Sequence, residues 1–224
     1  MKILIAEDEA ELRNSIINFL NHNGFVSESA SDYYEAISKV SIYDYDVVVV
    51  DINLISGSGL DVIKTIKYQE KKCGIIIISA NNSLEDKIKG LDIGADDYIT
   101  KPFHLTELNS RISAVYRRLK LDGKKTLEFN DIIINTEARI VSVKNNVLSL
   151  TRKEYDLLLY FITNKNRVLS KEIIAEHLWG DHIDHVDNFD FIYVHINNLR
   201  KKLEHNNVNY INTVYGIGYR FSEQ

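Results

Sequence analysis

Cysteine, proline, methionine and tryptophan each occur only once in this chain of 224 residues. The single cysteine, Cys73, excludes an intrachain disulfide and a zinc site built from cysteines. Long apolar runs are also missing, since none approaches the roughly 20 residues that a membrane-spanning helix needs. The start of the chain reaches three acidic residues, at 7–9, too early to hold a signal-peptide core. We therefore expect a soluble, cytoplasmic protein with no membrane partner.

An excess of positive charge is missing as well. Lys and Arg total 27, Asp and Glu total 32, and the net charge is −5. This balance does not favour nucleic-acid binding by the chain as a whole, so any such binding must come from a local basic patch. The length is enough for one large domain or two ordinary ones, and either can bury a core.

Short apolar strands and amphipathic helices alternate through the first half of the chain. Residues 47–50 are four valines that end at Asp51, a pattern typical of a strand buried on both faces of a parallel sheet. Residues 74–80 repeat this pattern, and shorter strands are predicted at 2–6, 25–29 and 97–100. Helical spacing of apolar residues follows each strand. Five such alternations predict an α/β fold with a doubly wound, parallel, five-stranded sheet.

The pattern changes after a polar stretch at residues 119–125. Beyond it, short strands separated by turn residues predict a small antiparallel sheet, and helical spacing returns at 153–163, 171–178 and 191–204. A hairpin with a glycine-containing turn is predicted at 210–221. The expected organisation is a first domain at 1–120, a linker at 121–125 and a second, α+β domain at 126–224.

Polar side chains stand at the carboxyl ends of the predicted parallel strands. Glu7 and Asp8 follow the first strand, Asp51 and Ser79 end two others, and Lys101 follows the last. Such ends meet in one crevice at the edge of an open α/β sheet. Carboxylates packed together need a cation, and an all-oxygen site of this kind suits Mg²⁺. An Asp carboxylate can also attack phosphorus to form an aspartyl-phosphate, while a Lys and a hydroxyl stabilise the transferred group.

These residues, with the segments at 94–98 and 101–103, closely resemble the receiver domain of two-component response regulators, and the resemblance covers residues 1–120. It implies that Asp51 is the phosphoacceptor, that Lys101 binds the phosphoryl group, and that Ser79 and Tyr98 form a switch pair. The implied ligands of a Mg²⁺ cofactor are Glu7, Asp8, Asp51 and the backbone carbonyl of Asn53. The implied phosphoryl donor is a sensor histidine kinase. Ile55 stands where the family usually has Pro, and Ser79 where Thr is common.

Charged residues mark one face of the last helix of the first domain. Glu107, Arg111 and Arg118 lie at helical spacing, although such a stripe is most often only solvated charge. The resemblance extends to the OmpR/PhoB branch of the family, whose dimer face carries charged pairs across a two-fold axis. The pairs that it implies here are Lys87 with Glu107, Asp97 with Arg111, and Asp96 with Arg118. We expect a homodimer when the protein is phosphorylated.

Residues 191–204 are predicted to form an amphipathic helix with a nucleic-acid-binding side. The apolar stripe, which must pack inward, is Ile192, Ile196, Leu199 and Leu203. The other side carries His195, Asn197, Asn198, Arg200, Lys201 and Lys202. In a major groove Asn pairs with adenine and Arg with guanine. A merely solvated amphipathic helix remains an equal alternative on this segment alone.

The surrounding sequence resembles the winged-helix effector domain of the same OmpR/PhoB branch over residues 126–222. The resemblance rests on the motifs at 150–155, 178–180, 194–203 and 216–221. It implies that 191–204 is the recognition helix, that 210–221 is the wing, and that 179–187 is the loop that meets RNA polymerase. It also favours double-stranded promoter DNA with half-sites in direct repeat. Tyr215, a further implied DNA contact, stands in the wing where the family often has Arg.

The hypothesis that unites both halves is a phosphorylation-controlled, DNA-binding transcriptional regulator that is not an enzyme. The rival is an aspartyl-phosphate-forming phosphohydrolase, which also uses a strand-end Asp and Mg²⁺. Such enzymes commonly carry a second Asp two residues on as general acid, and this chain has Asn53 there. The second domain also has no evident use in a hydrolase. A regulator that works without phosphorylation is the third alternative, which the intact acidic set disfavours.

Overall fold

The computed structural model of the protein describes residues 1–81, 83–180, 189–204 and 209–223. Contacts between residues divide the chain into two units, Met1–Gly123 and Lys124–Gln224. Each unit has its own hydrophobic core. Within these described residues, no helix combines the length and the apolar character that a membrane crossing requires.

The first unit contains a parallel sheet flanked by helices. Its elements in chain order are β1 (Lys2–Ala6), α1 (Ala10–His22), β2 (Val26–Ala30), α2 (Tyr33–Ile42), β3 (Val47–Asp51), β4 (Asn53–Leu54), β5 (Gly57–Ser58), α3 (Gly59–Tyr68), β6 (Gly74–Ser79), α4 (Leu84–Asp92), β7 (Asp97–Thr100) and α5 (Leu105–Lys120). The large sheet has the strand order β2-β1-β3-β6-β7, and all neighbouring strands are parallel. Helix α1 contacts α5, and α2 contacts α3. This architecture confirms the predicted doubly wound five-stranded sheet.

Strands β1, β3 and β6 are buried along their whole length. A parallel sheet has helices on both faces, so its central strands lose contact with solvent on both sides. The register places Asp51 beside Ile78, and Ser79 beside Thr100. The polar residues at the strand ends are therefore brought to the same edge of the sheet.

A two-stranded hairpin, β4 with β5, directly follows Asp51. Asn53 pairs with Ser58, and Leu54 pairs with Gly57. The side chain of Ser58 then accepts a hydrogen bond from the backbone N–H of Leu60 and caps α3. The segment after Asp51 is thus held by backbone pairing at one end and by a helix cap at the other.

The second unit combines an antiparallel sheet, helices and a smaller sheet. Its elements are β8 (Thr126–Phe129), β9 (Ile132–Asn135), β10 (Ile140–Val143), β11 (Asn146–Leu148), α6 (Arg152–Thr163), β12 (Val168–Ser170), α7 (Lys171–Trp179), α8 (Asp190–Glu204), β13 (Ile211–Val214) and β14 (Gly218–Phe221). Strands β8 to β11 form the predicted antiparallel sheet in the order β11-β10-β9-β8. Strand β12 was not predicted; it pairs with β14 and extends the expected β13–β14 hairpin to three strands. The class of this unit is the predicted α+β winged helix.

A buried ion pair ties the first two strands of the first unit together. Lys2 is fully buried, and its Nζ lies 2.7 Å from Oε1 of Glu28, which is 4% exposed. The hydroxyl of Tyr45 donates to Oε2 of Glu28 over 2.5 Å. The rings of Tyr43 and Tyr45 lie 4.7 and 4.5 Å from the ammonium. The buried charges of Lys2 and Glu28 compensate each other only as long as both are present.

Replacing Glu28 with alanine should lower the free energy of unfolding of the first unit by about 3–5 kcal/mol, because the ammonium of Lys2 loses its carboxylate while it stays buried. The double variant Lys2→Met/Glu28→Leu should recover most of this loss, since apolar side chains often replace a buried pair without penalty. The control is Glu11→Ala, at an exposed glutamate of α1. Urea unfolding measures all three variants, and equal losses in Glu28→Ala and Glu11→Ala would contradict this assignment.

Candidate functional site

The carboxyl ends of four parallel strands converge on one group of polar side chains. Glu7 and Asp8 follow β1, Asp51 ends β3, Ser79 ends β6 and Lys101 follows β7. One carboxylate oxygen from each of Glu7, Asp8 and Asp51 lies within 4.8 Å of the other two. Glu7 and Ser79 are fully buried and Asp51 is 5% exposed. The structure therefore brings together the acidic residues that the sequence predicted to meet.

The ammonium of Lys101 lies between two of these carboxylates. Its Nζ is 2.5 Å from Oδ2 of Asp51 and 2.7 Å from Oε2 of Glu7. Burial disfavours the charged form of Lys101, but its hydrogen bonds to Asp51 and Glu7 outweigh burial and raise the pKa of the ammonium. Burial also raises the pKa of Glu7, and the hydrogen bond from Lys101 offsets only part of that effect. Lys101 stays charged and offsets part of the negative charge of the acidic cluster.

The donor set fits a small divalent cation. Oε2 of Glu7 is buried and, among the described residues, accepts no hydrogen bond of good geometry, although Lys101 Nζ is close. A buried carboxylate oxygen in this condition, with two further carboxylates within reach, suits an all-oxygen site of the kind that Mg²⁺ prefers. The backbone N–H of Asn53 donates to Oδ1 of Asp51 over 3.0 Å, so Asn53 lies next to this cluster.

Gly59 is a site residue that the sequence analysis missed. A Cβ atom at this position would lie 1.9 Å from the backbone oxygen of Asp51. The N–H of Gly59 also donates to the carbonyl of Ile52 over 2.9 Å. Because no side chain fits here, the start of α3 can approach the backbone of Asp51 and fix the direction in which that residue points. In the folded chain the β4–β5 hairpin lies between Asp51 and Gly59 and brings them together.

The two residues of the predicted switch pair both contact Asn81, in the loop after β6. The hydroxyl oxygen of Ser79 accepts a hydrogen bond from the backbone N–H of Asn81 over 3.1 Å. The hydroxyl of Tyr98 donates to the carbonyl of Asn81 over 2.8 Å. The ammonium of Lys87 lies 5.8 Å from the centre of the Tyr98 ring. Ser79 and Tyr98 are thereby connected through one residue.

The charged residues of the predicted dimer face make contacts within the chain. Nη1 of Arg111 lies 3.0 Å from Oδ2 of Asp97, and Nη2 lies 2.9 Å from Oε1 of Glu107. These hydrogen bonds, that to Asp97 first, raise the pKa of Arg111 above its ordinary value. Arg118 donates to the backbone carbonyl of Asp96 over 3.1 Å. Asp97 is therefore the partner of Arg111 inside one chain as well as its predicted partner across the two-fold axis.

Helix α8 buries its apolar stripe as predicted. The buried residues of the helix are Ile192, Ile196, Leu199 and Leu203. Asn198 and Lys201 are exposed, and Asn197 is half-buried. Tyr193 and Val194, which are 53% and 56% exposed, share this outer side. Neither residue is among the contacts predicted on α8 from the sequence, which are all polar.

Three of the predicted nucleic-acid contacts on α8 have partners inside the second unit. Nη2 of Arg200 donates to the carbonyl of Ile211 over 2.9 Å and to Oγ1 of Thr213 over 2.7 Å. The ring of His195 packs 5.3 Å from that of Trp179. Both side chains are half-buried, which places them where they can reach the neighbouring elements.

Lys202 is the third residue, and its Nζ lies 2.7 Å from Oε2 of Glu154. Glu154 also completes a capping box with Thr151 at the start of α6. Burial alone would raise the pKa of Glu154, but the hydrogen bonds from Lys202 and Thr151 lower it. Lys202 thus balances a buried carboxylate of the second unit.

The remaining predicted contacts of this unit are only partly described. Tyr215 is 92% exposed in the turn between β13 and β14. Of the loop predicted to meet RNA polymerase, residues 181–187 lie outside the described residues. Trp179 and Gly180 are described, and the Trp179 ring packs edge-on against Phe191 at 4.9 Å.

Fold and site define a class of protein: an acidic, doubly wound domain with a lysine-neutralised aspartate, joined in one chain to a winged-helix domain. Comparison with known families agrees with this class. Residues 3–113 match the response regulator receiver domain. Residues 145–221 match the C-terminal domain of transcriptional regulatory proteins.

Relatives of known identity cover the whole chain. The cell cycle response regulator CtrA of Brucella ovis and that of Brucella abortus are each 37% identical over 225 aligned residues, which span 100% of this chain and 96% of the relative. The receiver domain of the Francisella response regulator 1452 is 36% identical, with a TM-score of 0.50, over 52% of this chain and 97% of that one. A Clostridium difficile two-component response regulator is 30% identical, with a TM-score of 0.50, over 53% of this chain and 97% of that one. The chain belongs to the response regulator family, in the OmpR/PhoB type that joins a receiver to a DNA-binding domain.

The two adjacent lysines of α8 should respond differently to alanine. Lys202→Ala should lower the free energy of unfolding of the second unit by on the order of 1 kcal/mol, because Glu154 loses its partner while the half-exposed geometry limits the effect. Lys201→Ala, at an exposed lysine, should change it by less than about 0.5 kcal/mol. Urea unfolding of both variants checks this difference, and equal losses would show that the Glu154 pair is unimportant.

Proposed function

We propose that Asp51 accepts a phosphoryl group from a sensor histidine kinase and that this event controls binding of promoter DNA by the second unit. The observation that supports the proposal most directly is the position of Asp51 Oδ2, 2.5 Å from the ammonium of Lys101 and beside Glu7 and Asp8. The ammonium of Lys101 is suited to hold the negative oxygens of a phosphoryl group, and the carboxylates beside it are suited to hold a cation. The protein would act in the cytoplasm, where its kinase presents the donor domain.

The covalent step requires only the exchange of one bond to phosphorus. An oxygen of Asp51 attacks phosphorus and forms an acyl phosphate, while the bond from phosphorus to the kinase histidine nitrogen breaks. The nitrogen keeps the electron pair and takes up a proton. Lys101 donates to the phosphoryl oxygens and offsets their charge. Mg²⁺, held by Glu7, Asp8, Asp51 and the carbonyl of Asn53, would supply further positive charge when bound.

Replacing Asp51 with asparagine should abolish phosphorylation, because an amide does not attack phosphorus as a carboxylate does. Incubation of the full chain with a small phosphodonor and Mg²⁺ should otherwise add one phosphoryl group, as measured by intact mass. Asp61 of α3, whose half-exposed side chain pairs with Lys64, is changed to asparagine as the control and should label normally. Labelling that persists in Asp51→Asn would overturn the assignment.

The change that follows phosphorylation would pass through Asn81. A phosphoryl oxygen close to Ser79 would engage its hydroxyl, which now accepts from the N–H of Asn81. The loop and Tyr98, whose hydroxyl donates to the carbonyl of Asn81, would then rearrange together. Because Tyr98 lies on β7, next to Asp97, this rearrangement reaches the proposed dimer face.

Arg111→Glu should leave phosphorylation intact and weaken the phosphorylated dimer. The new glutamate would stand beside Asp97 and Glu107 in its own chain and would repel the corresponding acidic residues of a second chain. Lys64→Glu, which makes the same charge change on the exposed side of α3, is the matched control. Sedimentation velocity measures the dimer fraction, and dimerisation of Arg111→Glu equal to that of Lys64→Glu would refute the dimer face.

For DNA, the proposal assigns base reading to the outer side of α8. Asn198 and Lys201 are exposed on this side, and Tyr193 and Val194 lie beside them. An Asn amide can donate to N7 and accept from N6 of adenine, whereas Lys serves mainly to contact phosphates. The phosphorylated dimer would place two such helices on half-sites in direct repeat and would engage RNA polymerase. We propose no catalytic activity toward other substrates, since Asn53 cannot serve as a general acid.

Asn198→Ala should weaken binding to the best half-sites by about 1–3 kcal/mol while it spares binding to scrambled duplexes. Lys201→Ala is the matched control, because loss of a phosphate contact should weaken all duplexes alike and flatten the salt dependence. Anisotropy titrations with matched and scrambled duplexes at two salt concentrations separate the two effects. If Asn198→Ala weakens both duplexes equally, Asn198 does not read a base.

A further inference from the structure

Arg13, in the first turn of α1, forms hydrogen bonds with the backbone of the acidic loop, residues 7–9 between β1 and α1. Its Nη1 donates to the carbonyl oxygen of Glu7 over 2.7 Å and to that of Asp8 over 3.1 Å. One nitrogen therefore binds two successive carbonyls of the loop between β1 and α1. Hydrogen bonds from a charged donor are among the stronger ones in proteins, so this contact restrains both peptide groups.

Besides the contacts of Arg13, this loop has a hydrogen bond from the backbone N–H of Glu9 to Oε1 of Glu7, over 3.3 Å. The N-cap residue of α1, Glu9, makes no side-chain capping hydrogen bond. The N–H of Glu7 donates to the carbonyl of Ala30, which fixes the start of the loop to β2. The carbonyls of Glu7 and Asp8 depend on Arg13 for their direction. Because the direction of a peptide group sets the direction of the neighbouring side chain, Arg13 influences where both carboxylates point.

The hydrogen bonds of Arg13 do not engage the carboxylates, and Glu7 is bound instead by Lys101. Both hydrogen bonds of Arg13 go to backbone oxygens, and Oε2 of Glu7 accepts no hydrogen bond of good geometry within the described residues. A guanidinium that bound these carboxylates directly would compete with a cation, whereas one that binds the carbonyls behind them does not. Residues that orient metal ligands without touching the metal are typical of metal sites in proteins.

We propose that Arg13 is a positioning residue that orients Glu7 and Asp8 for a divalent cation. The inference rests on the proposed Mg²⁺ site of the receiver. Both hydrogen bonds of Arg13 go to backbone oxygens, so its proposed role lies in the affinity for the cation and not in the transfer step itself.

Isothermal titration of the full chain with Mg²⁺ alone tests the proposal. Arg13→Ala should weaken Mg²⁺ binding by about 10–100-fold, as is typical for loss of a residue behind a metal ligand. Arg13→Lys should recover part of the affinity, since an ammonium can still donate to one of the carbonyls. Asn14→Ala, at the adjacent exposed position of α1, is the matched control and should bind Mg²⁺ as the unaltered chain does.

Phosphorylation by a small phosphodonor gives a second readout. In Arg13→Ala the Mg²⁺ concentration for half-maximal rate should rise, while the rate at saturating Mg²⁺ should approach that of the unaltered chain. Urea unfolding without Mg²⁺ measures the stability that each variant loses, and Mg²⁺ is titrated under conditions in which every variant is folded, which separates positioning from general destabilisation. Unchanged Mg²⁺ affinity in both Arg13 variants would overturn this inference. If Glu7→Gln and Asp8→Asn bind Mg²⁺ as tightly as the unaltered chain does, the proposed Mg²⁺ site is overturned instead.

Discussion

The ammonium of Lys101 lies 2.5 Å from Asp51 and 2.7 Å from Glu7, where the strands of a parallel sheet end. Much of the first unit depends on this contact, because buried carboxylates that close together repel one another unless a cation intervenes. Glu7 is fully buried, and its raised pKa shows that burial outweighs the hydrogen bond from Lys101. In the proposed function, the same arrangement that needs a positive charge would receive a phosphoryl group and a metal ion. Stability and function of this edge are therefore two consequences of one distribution of charge.

The sequence predicted the large features of the first unit because they follow from short-range patterns. Four consecutive valines leave a parallel sheet as the natural place for residues 47–50, and the register then sets Asp51 beside β6. The β4–β5 hairpin and the need for glycine at position 59 were not predictable in this way. The clash at Gly59 involves the backbone oxygen of Asp51, and only the folded path of the chain shows that the two meet. Strand β12 was missed because three residues that pair with a partner about 50 positions away carry no periodicity.

The second unit shows a different limit. Helical periodicity identified the buried stripe of α8, but it could not tell which outward side chains have partners within the same unit. Lys201 and Lys202 are adjacent in sequence, yet one is exposed and the other neutralises Glu154 from α6. Arg200 likewise joins α8 to β13. The basic residues of α8 thus divide into those that face the solvent and those that bind other elements of the second unit.

The central claim is that a phosphoryl group on the first unit controls DNA binding by the second. The most direct test is the affinity of the full chain for a duplex selected from a random pool, measured with Mg²⁺ in the presence and absence of a small phosphodonor. The account predicts that the donor tightens binding by about 5–150-fold, the usual range for coupling between two sites, and that a chain unable to accept the group at Asp51 shows no response. Equal affinity with and without the donor, or an equal response of the chain altered at Asp51, would contradict the account.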